Sequence, residues 1–503
     1  MKPRLLWSDR DLIPPEDGKL AMGQAWDDLD MAVILDAIAG DDRALRPIVA
    51  TVLASPLLDA DGIRARQAVL VDVTHHREQA EALRDQAQYA MEARRRSSSG
   101  FYGVYPSSIL HGSISVLKDL MGSMRTTREL AETWAADATA ERVQQWLHEL
   151  CFALDDMYLD DVDAHLTRLD DREELPVVAR LGAMNEGTRL TLAAGKGRPR
   201  HWWSRLLGAV PGKHTIRIPD RDEGGARALG ELRDKGINEV ANALAQAVDY
   251  LLAFFSLMHR ELAFYLAMDR WRDLCRARGL AMCQPTLEDG ARGIYATGLS
   301  PLSVALRSTS AVPNDIDTSA APIAIITGPN QGGKTTFLRA LGQGQWLAQI
   351  GAPVPASLWQ STVFDGVFSH FKQAEDDTLR HGKFDEELLR WNGLVDALGR
   401  RALILSNESF ATTDAREATD LAATLFDAFA NAGHHVVAVT HLTGLADALT
   451  ASCTQWRVER GDGGERPCRL YPGVAEATSY AQDIFRQVFG STPALSVKEP
   501  TGP

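Results

Sequence analysis

Residues 322–341, PIAIITGPNQGGKTTFLRAL, decide the fold of this chain. An apolar run of strand character at 322–327 leads into a glycine-rich turn, and a helix-forming run begins at Thr335. The turn matches the pattern G-x-x-x-x-G-K-[ST] over 328–335 and lies between a strand and a helix, which is the context that the pattern requires. A chance match is the alternative, and the correctly placed strand and helix disfavour it. The segment therefore predicts a loop that binds nucleotide phosphates.

The residue types of this loop suit a polyphosphate. Glycines let main-chain N–H groups approach the phosphates, and the N-terminus of a helix adds partial positive charge. The Lys334 ammonium supplies a full charge, and the Thr335 hydroxyl can bind Mg²⁺. We therefore predict a site for ATP and Mg²⁺ whose nucleotide-binding residues are Gly328, Pro329, Asn330, Gln331, Gly332, Gly333, Lys334, Thr335 and Thr336.

Two further apolar runs, 402–406 and 435–440, predict strands of the same sheet. Strands that alternate with helices indicate a parallel sheet with helices on both faces. The first run leads to Asn407 and Glu408, and the second ends at Thr440 and is followed by His441. Polar residues at the carboxyl ends of parallel strands are typical of a binding crevice.

Each of these polar residues has a predicted role beside the phosphate loop. Glu408 is placed to orient or deprotonate an attacking water. Asn407 stands where a metal-site aspartate is usual, so that the predicted metal ligands Thr335 and Asn407 are both neutral. His441 would sense the γ-phosphate. An exposed glutamate and a structural histidine are the alternatives for Glu408 and His441 taken alone.

The composition excludes several other classes of protein. The 503 residues include 53 Lys and Arg against 67 Asp and Glu, so the net charge is −14. This excludes a protein whose whole surface is basic and binds nucleic acid. Five scattered cysteines without a CxxC pair argue against a disulfide framework or a zinc site. No window has the roughly 18–20 apolar residues of a membrane helix. We expect a soluble, cytoplasmic protein without membrane contact.

The order of helical and strand patterns along the sequence predicts an α/β P-loop ATPase domain, with a parallel sheet flanked by helices, joined to a mainly α-helical core or lever domain. Apolar residues recur about every 3.7 positions from Val240 to Leu266, which predicts a long helix with one apolar stripe. The predicted domains are an N-terminal helical extension (1–50), a helical core or lever with a small β insertion near 175–220 (51–290), the ATPase domain (291–490) and a disordered tail (491–503).

A local basic stretch lies inside this predicted insertion. Residues 196–217 contain basic and aromatic side chains and no acidic residue, in a chain whose net charge is negative. Basic side chains interleaved with indoles suit a nucleic-acid backbone and its bases. A solvated loop with packed tryptophans is an equal alternative. The DNA-binding candidates are Lys196, Arg198, Arg200 and Arg205.

Taken together, these segments resemble the DNA mismatch repair MutS family. The resemblance covers roughly residues 50–490, strongly after 290 and weakly between 160 and 230. It rests on several segments: residues 327–356, Ala374–Asp377 with Gly382 and Glu387, Glu408 with Thr412–Asp414, Thr440–His441, Ser479–Ala481, and upstream Ser55–Asp59 and Ile63–Val69.

The resemblance implies a homodimeric ATPase in which nucleotide state controls a clamp on duplex DNA, with mismatched or structured DNA as further candidates. It implies that Glu408, Lys334 and His441 are catalytic, and that Gly382 and Lys383 belong to a signature segment that reaches the nucleotide of the partner subunit. The chain departs from the family at Asn407, at Lys383-Phe384 in place of Ser-Thr, and at Ala311 in place of an aromatic that stacks on adenine. We also expect it to lack mismatch-reading N-terminal domains.

Two predicted functions follow. The first is an ATP-dependent DNA-binding protein of the MutS type that acts in mismatch repair, in the response to DNA damage or in a related DNA transaction. The second is a nucleotide-gated scaffold or regulator with negligible ATP hydrolysis, which Asn407 and the missing Ser-Thr pair favour. A transporter-type or recombination-type P-loop ATPase is a third possibility, and the helical segment upstream, from Pro56 to Val69, argues against it.

Overall fold

The computed structural model describes residues 2–15, 23–97, 105–170, 177–181, 187–192, 223–290, 293–308, 311–329, 332–372, 382–458 and 468–474. The chain forms two compact units, neither of which is continuous in sequence. Unit 1 comprises Met1–Asp11 and His75–Ala263, and unit 2 comprises Leu12–Thr74 and Phe264–Pro503. The predicted domains are consecutive stretches instead, and their boundaries stay a prediction.

The helices have the following bounds: α1 Gln24–Asp28, α2 Met31–Ala39, α3 Leu45–Leu53, α4 Ala60–His75, α5 Arg77–Met91, α6 Ala93–Ser97, α7 Pro106–Ala135, α8 Glu141–Ala153, α9 Asp156–Asp170, α10 Glu223–Ala277, α11 Leu302–Ala305, α12 Lys334–Gln349, α13 Lys383–Ala397, α14 Ala415–Asn431 and α15 Leu445–Ala448. The strands are β1 Val177–Leu181, β2 Gly187–Leu192, β3 Thr286–Glu288, β4 Ile294–Leu299, β5 Asn314–Asp317, β6 Ile323–Thr327, β7 Leu358–Thr362, β8 Gly366–Phe371, β9 Ala402–Asn407, β10 His435–Val439, β11 Cys453–Val458 and β12 Leu470–Pro472.

A six-stranded sheet in the order β12-β11-β6-β10-β9-β8 forms the centre of unit 2. Its strands are parallel except β12, which runs antiparallel to β11. All residues of β6, β9 and β10 are buried, as expected for a parallel sheet covered on both faces. The three apolar runs are therefore strands of one parallel sheet, as predicted, and their carboxyl ends lie side by side.

A smaller four-stranded sheet in the order β3-β7-β4-β5 completes the β structure of unit 2. Helix α12 and the short N-terminal helices pack together within the same unit. The Trp346 indole of α12 donates a hydrogen bond to the Leu53 carbonyl, and the Arg339 guanidinium donates one to the Asp28 carbonyl. These contacts explain why residues 12–74 belong to unit 2 and not to the helical unit.

Unit 1 is mainly helical, with the antiparallel pair β1–β2 at the predicted β insertion. Leu110 and Ile114 of α7 pack in one apolar cluster with Ile237 and Ala241 of α10. The long helix predicted from the apolar stripe is confirmed, since α10 spans 55 residues.

The expectation that no segment is apolar enough to cross a membrane was wrong. The segment Asp234–Ala277 of α10 contains an 18-residue window with a mean hydropathy of 1.4, of which 28% is buried. It meets the length and composition of a membrane span, but core helices of soluble proteins also meet them, so this single helix is weak evidence. The predicted stripe accounts for its apolar character.

Candidate functional site

The phosphate loop connects β6 to α12, as the sequence predicts. Gly328 and Gly333 have φ values of 142° and 88°, where a side chain is strained, and Gly333 is the N-cap residue of α12. A Cβ on Gly328 would lie 2.9 Å from the Val458 carbonyl oxygen. Glycine is thus required at both positions by the backbone itself. Asn330 and Gln331 lie outside the described residues, whereas the other predicted loop residues are described.

The Lys334 side chain turns back over this loop. Its Nζ donates hydrogen bonds to the carbonyl oxygens of Gly328, at 2.8 Å, and Pro329, at 2.9 Å. Burial lowers the pKa of Lys334, and the negative charge of Glu408 opposes this effect. The ammonium therefore lies where the loop would bend around a phosphate, and neutral carbonyls compensate for its lost hydration. A phosphate oxygen would be a stronger, charge-assisted acceptor in the same place.

Thr335 meets the end of the neighbouring strand β9. Its hydroxyl donates a hydrogen bond to Oδ1 of Asn407 at 2.9 Å. The predicted metal ligands therefore lie side by side, and both offer the oxygen atoms that Mg²⁺ prefers. This donor pair fits the ion but carries no charge, so phosphate and water oxygens would have to supply the remaining ligands. Within the described residues no group of three or more His, Cys, Asp and Glu forms a metal site.

Glu408 and His441 form a hydrogen-bonded pair just beyond the strands. His441 Nε2 lies 2.9 Å from Oε1 of Glu408, and the Glu408 N–H donates to the Val439 carbonyl oxygen at 2.9 Å. The His441 hydrogen bond lowers the pKa of Glu408, burial opposes the shift, and the charge of Lys334 contributes to the lowering. The carboxylate is therefore ionised at neutral pH and has a histidine as its hydrogen-bond partner.

Comparison with known proteins agrees with this geometry. The profile of the MutS2 N-terminal domain matches residues 58–273, and that of MutS domain V matches residues 324–459. The DNA mismatch repair protein MutS of Natronomonas pharaonis is 33% identical over 210 residues, which cover 40% of this chain and 24% of that protein. The MutS of a Synechococcus strain is 24% identical over 399 residues, 71% of this chain and 43% of that protein.

The chain belongs to the MutS family. This confirms the family that the sequence motifs indicated. The chain covers less than half the length of either of these relatives. The residues that match domain V include α12, β9, β10 and all of β6 except Ile323, and so every residue of the candidate site described above.

The signature segment of the family is described only in part. Gly382 is the N-cap residue of α13 and Lys383 its first residue, and both are exposed. Ala374–Asp377, Ser479–Ala481 and the DNA-binding candidates Lys196, Arg198, Arg200 and Arg205 lie outside the described residues. Those roles stay predictions.

The structure adds residues to the site that the sequence did not single out. The His370 ring at β8 contacts Ser409 through a 2.8 Å hydrogen bond and stacks on Trp391 of α13, with ring centroids 4.2 Å apart. Glu387, which the sequence marks only by its resemblance to the family, binds the main chain just after Glu408. No local pattern could have identified these contacts, because they join separate segments.

Proposed function

We propose that this MutS-family protein binds ATP with Mg²⁺ and acts as a homodimer whose nucleotide state controls its grip on DNA. The observation that carries the proposal is the convergence of Lys334, Thr335, Asn407, Glu408 and His441 at the carboxyl ends of three adjacent parallel strands. A site that places an ammonium, a hydroxyl and a carboxylate around one loop has the parts that phosphoryl transfer requires.

Each residue has a definite part in this proposal. The loop amides and Lys334 would hold the phosphates, and Thr335 with Asn407 would hold Mg²⁺, which when bound supplies positive charge to the β- and γ-phosphates. Glu408 would orient water for attack. His441, already hydrogen-bonded to that carboxylate, would fix its direction and register the loss of the γ-phosphate.

The test compares nucleotide binding with turnover. We expect calorimetry with ATP and Mg²⁺ to detect binding to the parent protein, weakened about tenfold or more in Lys334→Ala by the loss of the phosphate-binding charge. Glu408→Gln should still bind ATP but lose turnover. An absence of binding heat for the parent protein would refute the proposal.

The part of the proposal that concerns DNA rests on the basic stretch. We expect DNA binding that weakens with salt and is strongly reduced when Arg198, Arg200 and Arg205 are changed together to Glu. A charge-matched control changes the exposed Arg43, Arg270 and Arg416 to Glu. Equal effects of the two triple variants would indicate that net charge, and not this stretch, accounts for the binding.

A nucleotide-gated scaffold is the second candidate function, and one observation favours it. The side chain that accepts the Thr335 hydrogen bond is an amide, so the metal site lacks the negative charge of a carboxylate. ATP binding together with turnover at background level in the purified dimer would support the scaffold over the enzyme.

A further inference from the structure

The loop that carries Glu408 has an unusual backbone. Glu408 and Phe410 both adopt left-handed conformations, with φ values of 56° and 62°, although neither is glycine. Such conformations are costly for residues with side chains and persist only where the surroundings impose them. Some part of the protein must therefore hold this loop in place.

Helix α13 supplies two contacts through Glu387. One carboxylate oxygen accepts the Phe410 N–H at 2.5 Å, and the other accepts the Thr412 hydroxyl at 3.3 Å. Glu387 is 6% exposed, so these bonds form away from bulk water, where a lost partner is costly. The carboxylate thus bridges the main chain and a side chain of the loop.

A further contact of α13 lies one turn along the same helix face. Trp391 is four residues after Glu387, and its ring lies nearly parallel to that of Phe410, at 13° and 6.1 Å. Another ring that stacks on Trp391, that of His370, bonds Ser409, and Ser409 in turn bonds Ser406 at 2.8 Å. Ser409 and Phe410 are therefore each fixed either by α13 or by a side chain packed on it.

The same helix begins at the predicted signature residues. Lys383 is its first residue, and Glu387 follows one turn later, about 6 Å along the axis. A displacement of the start of α13 would therefore act directly on the carboxylate that holds the loop. The hydrogen bond from the Phe410 N–H to Glu387 would move with it, and Phe410 is only two residues after Glu408.

We propose that Glu387 is a positioning residue that holds the Glu408 loop in its left-handed conformation and transmits the state of the α13 N-terminus to Glu408. The second half of this proposal rests on the proposed function, because it needs a nucleotide at the site. The first half, that Glu387 holds the loop, concerns this chain alone and does not depend on the proposed function.

The hold on the loop is tested without nucleotide, by hydrogen exchange of the peptide containing Phe410. Glu387→Ala should speed this exchange, Glu387→Gln should restore most of the protection through its remaining acceptor oxygen, and Thr412→Val should have an intermediate effect. The control is Glu386→Ala, a neighbouring carboxylate about 100° around the helix. Unchanged exchange in folded Glu387→Ala would overturn the proposal, with melting temperatures as the check on folding.

The transmission is tested by turnover. Glu387→Ala should lower kcat about tenfold or more while the Kd for a non-hydrolysable ATP analogue stays within about twofold, because Glu387 acts through the orientation of Glu408. Lys383→Ala and Glu387→Ala should be non-additive in kcat if one path joins them. Additive effects, or equal losses of kcat and affinity, would refute transmission. A parent protein that binds no ATP would refute the proposed function, while the exchange experiment would still decide the hold.

Discussion

Acidification should destabilise unit 2 through His370. This ring is 1% exposed, and burial lowers its pKa from 6.5 to about 3, with the positive charge of Arg390 as a smaller cause. The unfolded chain binds a proton near pH 6.5 and the folded chain does not. Stability is therefore fully present above the unfolded pKa and is lost as the pH falls from 6.5 toward 3.

The magnitude follows from the two pKa values. Between pH 7 and pH 5 the free energy of unfolding should fall by about 2 kcal/mol from His370 alone. Other groups also titrate in this range, so the parent protein is compared with His370→Asn at both pH values. The variant should lose about 2 kcal/mol less than the parent, and the intrinsic cost of the substitution cancels in this comparison.

Urea unfolding at the two pH values, followed by pulsed hydrogen exchange of the peptide containing β9, measures unit 2 separately from unit 1. His435→Asn is a parallel case, since burial lowers the pKa of His435 to about 4, and it should behave similarly. If the parent and His370→Asn lost equal stability between pH 7 and pH 5, His370 would protonate in the folded protein, and the packing described for its ring would be refuted.

Two further predictions concern the helices and the metal site. Gly344→Ala should lower the free energy of unfolding by about 1–3 kcal/mol, because its Cβ would lie 2.5 Å from the buried Trp359 ring. Gly393→Ala, which has open space around it, should raise the free energy of unfolding by about 0.5–1 kcal/mol. Urea unfolding measures both variants, and equal effects would contradict the close approach of α12 to Trp359. Asn407→Asp should make ATP binding more dependent on Mg²⁺, because a carboxylate would replace the amide beside Thr335, and titration of ATP with and without the ion would show no such change if the two side chains do not hold the metal.

The sequence alone determined the main parts of the site. The glycine spacing, the apolar strand and the following helix identify the loop at 328–335, because these are local patterns with a single structural solution. Likewise the buried runs that lead to Asn407 and His441 predicted two strand ends. The parallel-sheet pattern made their convergence an expectation, and the pairing of β9 with β10 and the hydrogen bond between Glu408 and His441 confirm it.

Only the tertiary structure decided how the site is held. Phe410 has a left-handed backbone that its residue type disfavours, so no local propensity could predict it. The conformation is imposed by Glu387, 23 residues away, and by the stacking of Trp391. In the same way, residues 12–74 join the α/β unit through hydrogen bonds such as that from the Trp346 indole to the Leu53 carbonyl, two residues that are 293 positions apart in the sequence. Contacts between distant segments depend on the packed sheet and helices, which no short stretch of sequence contains.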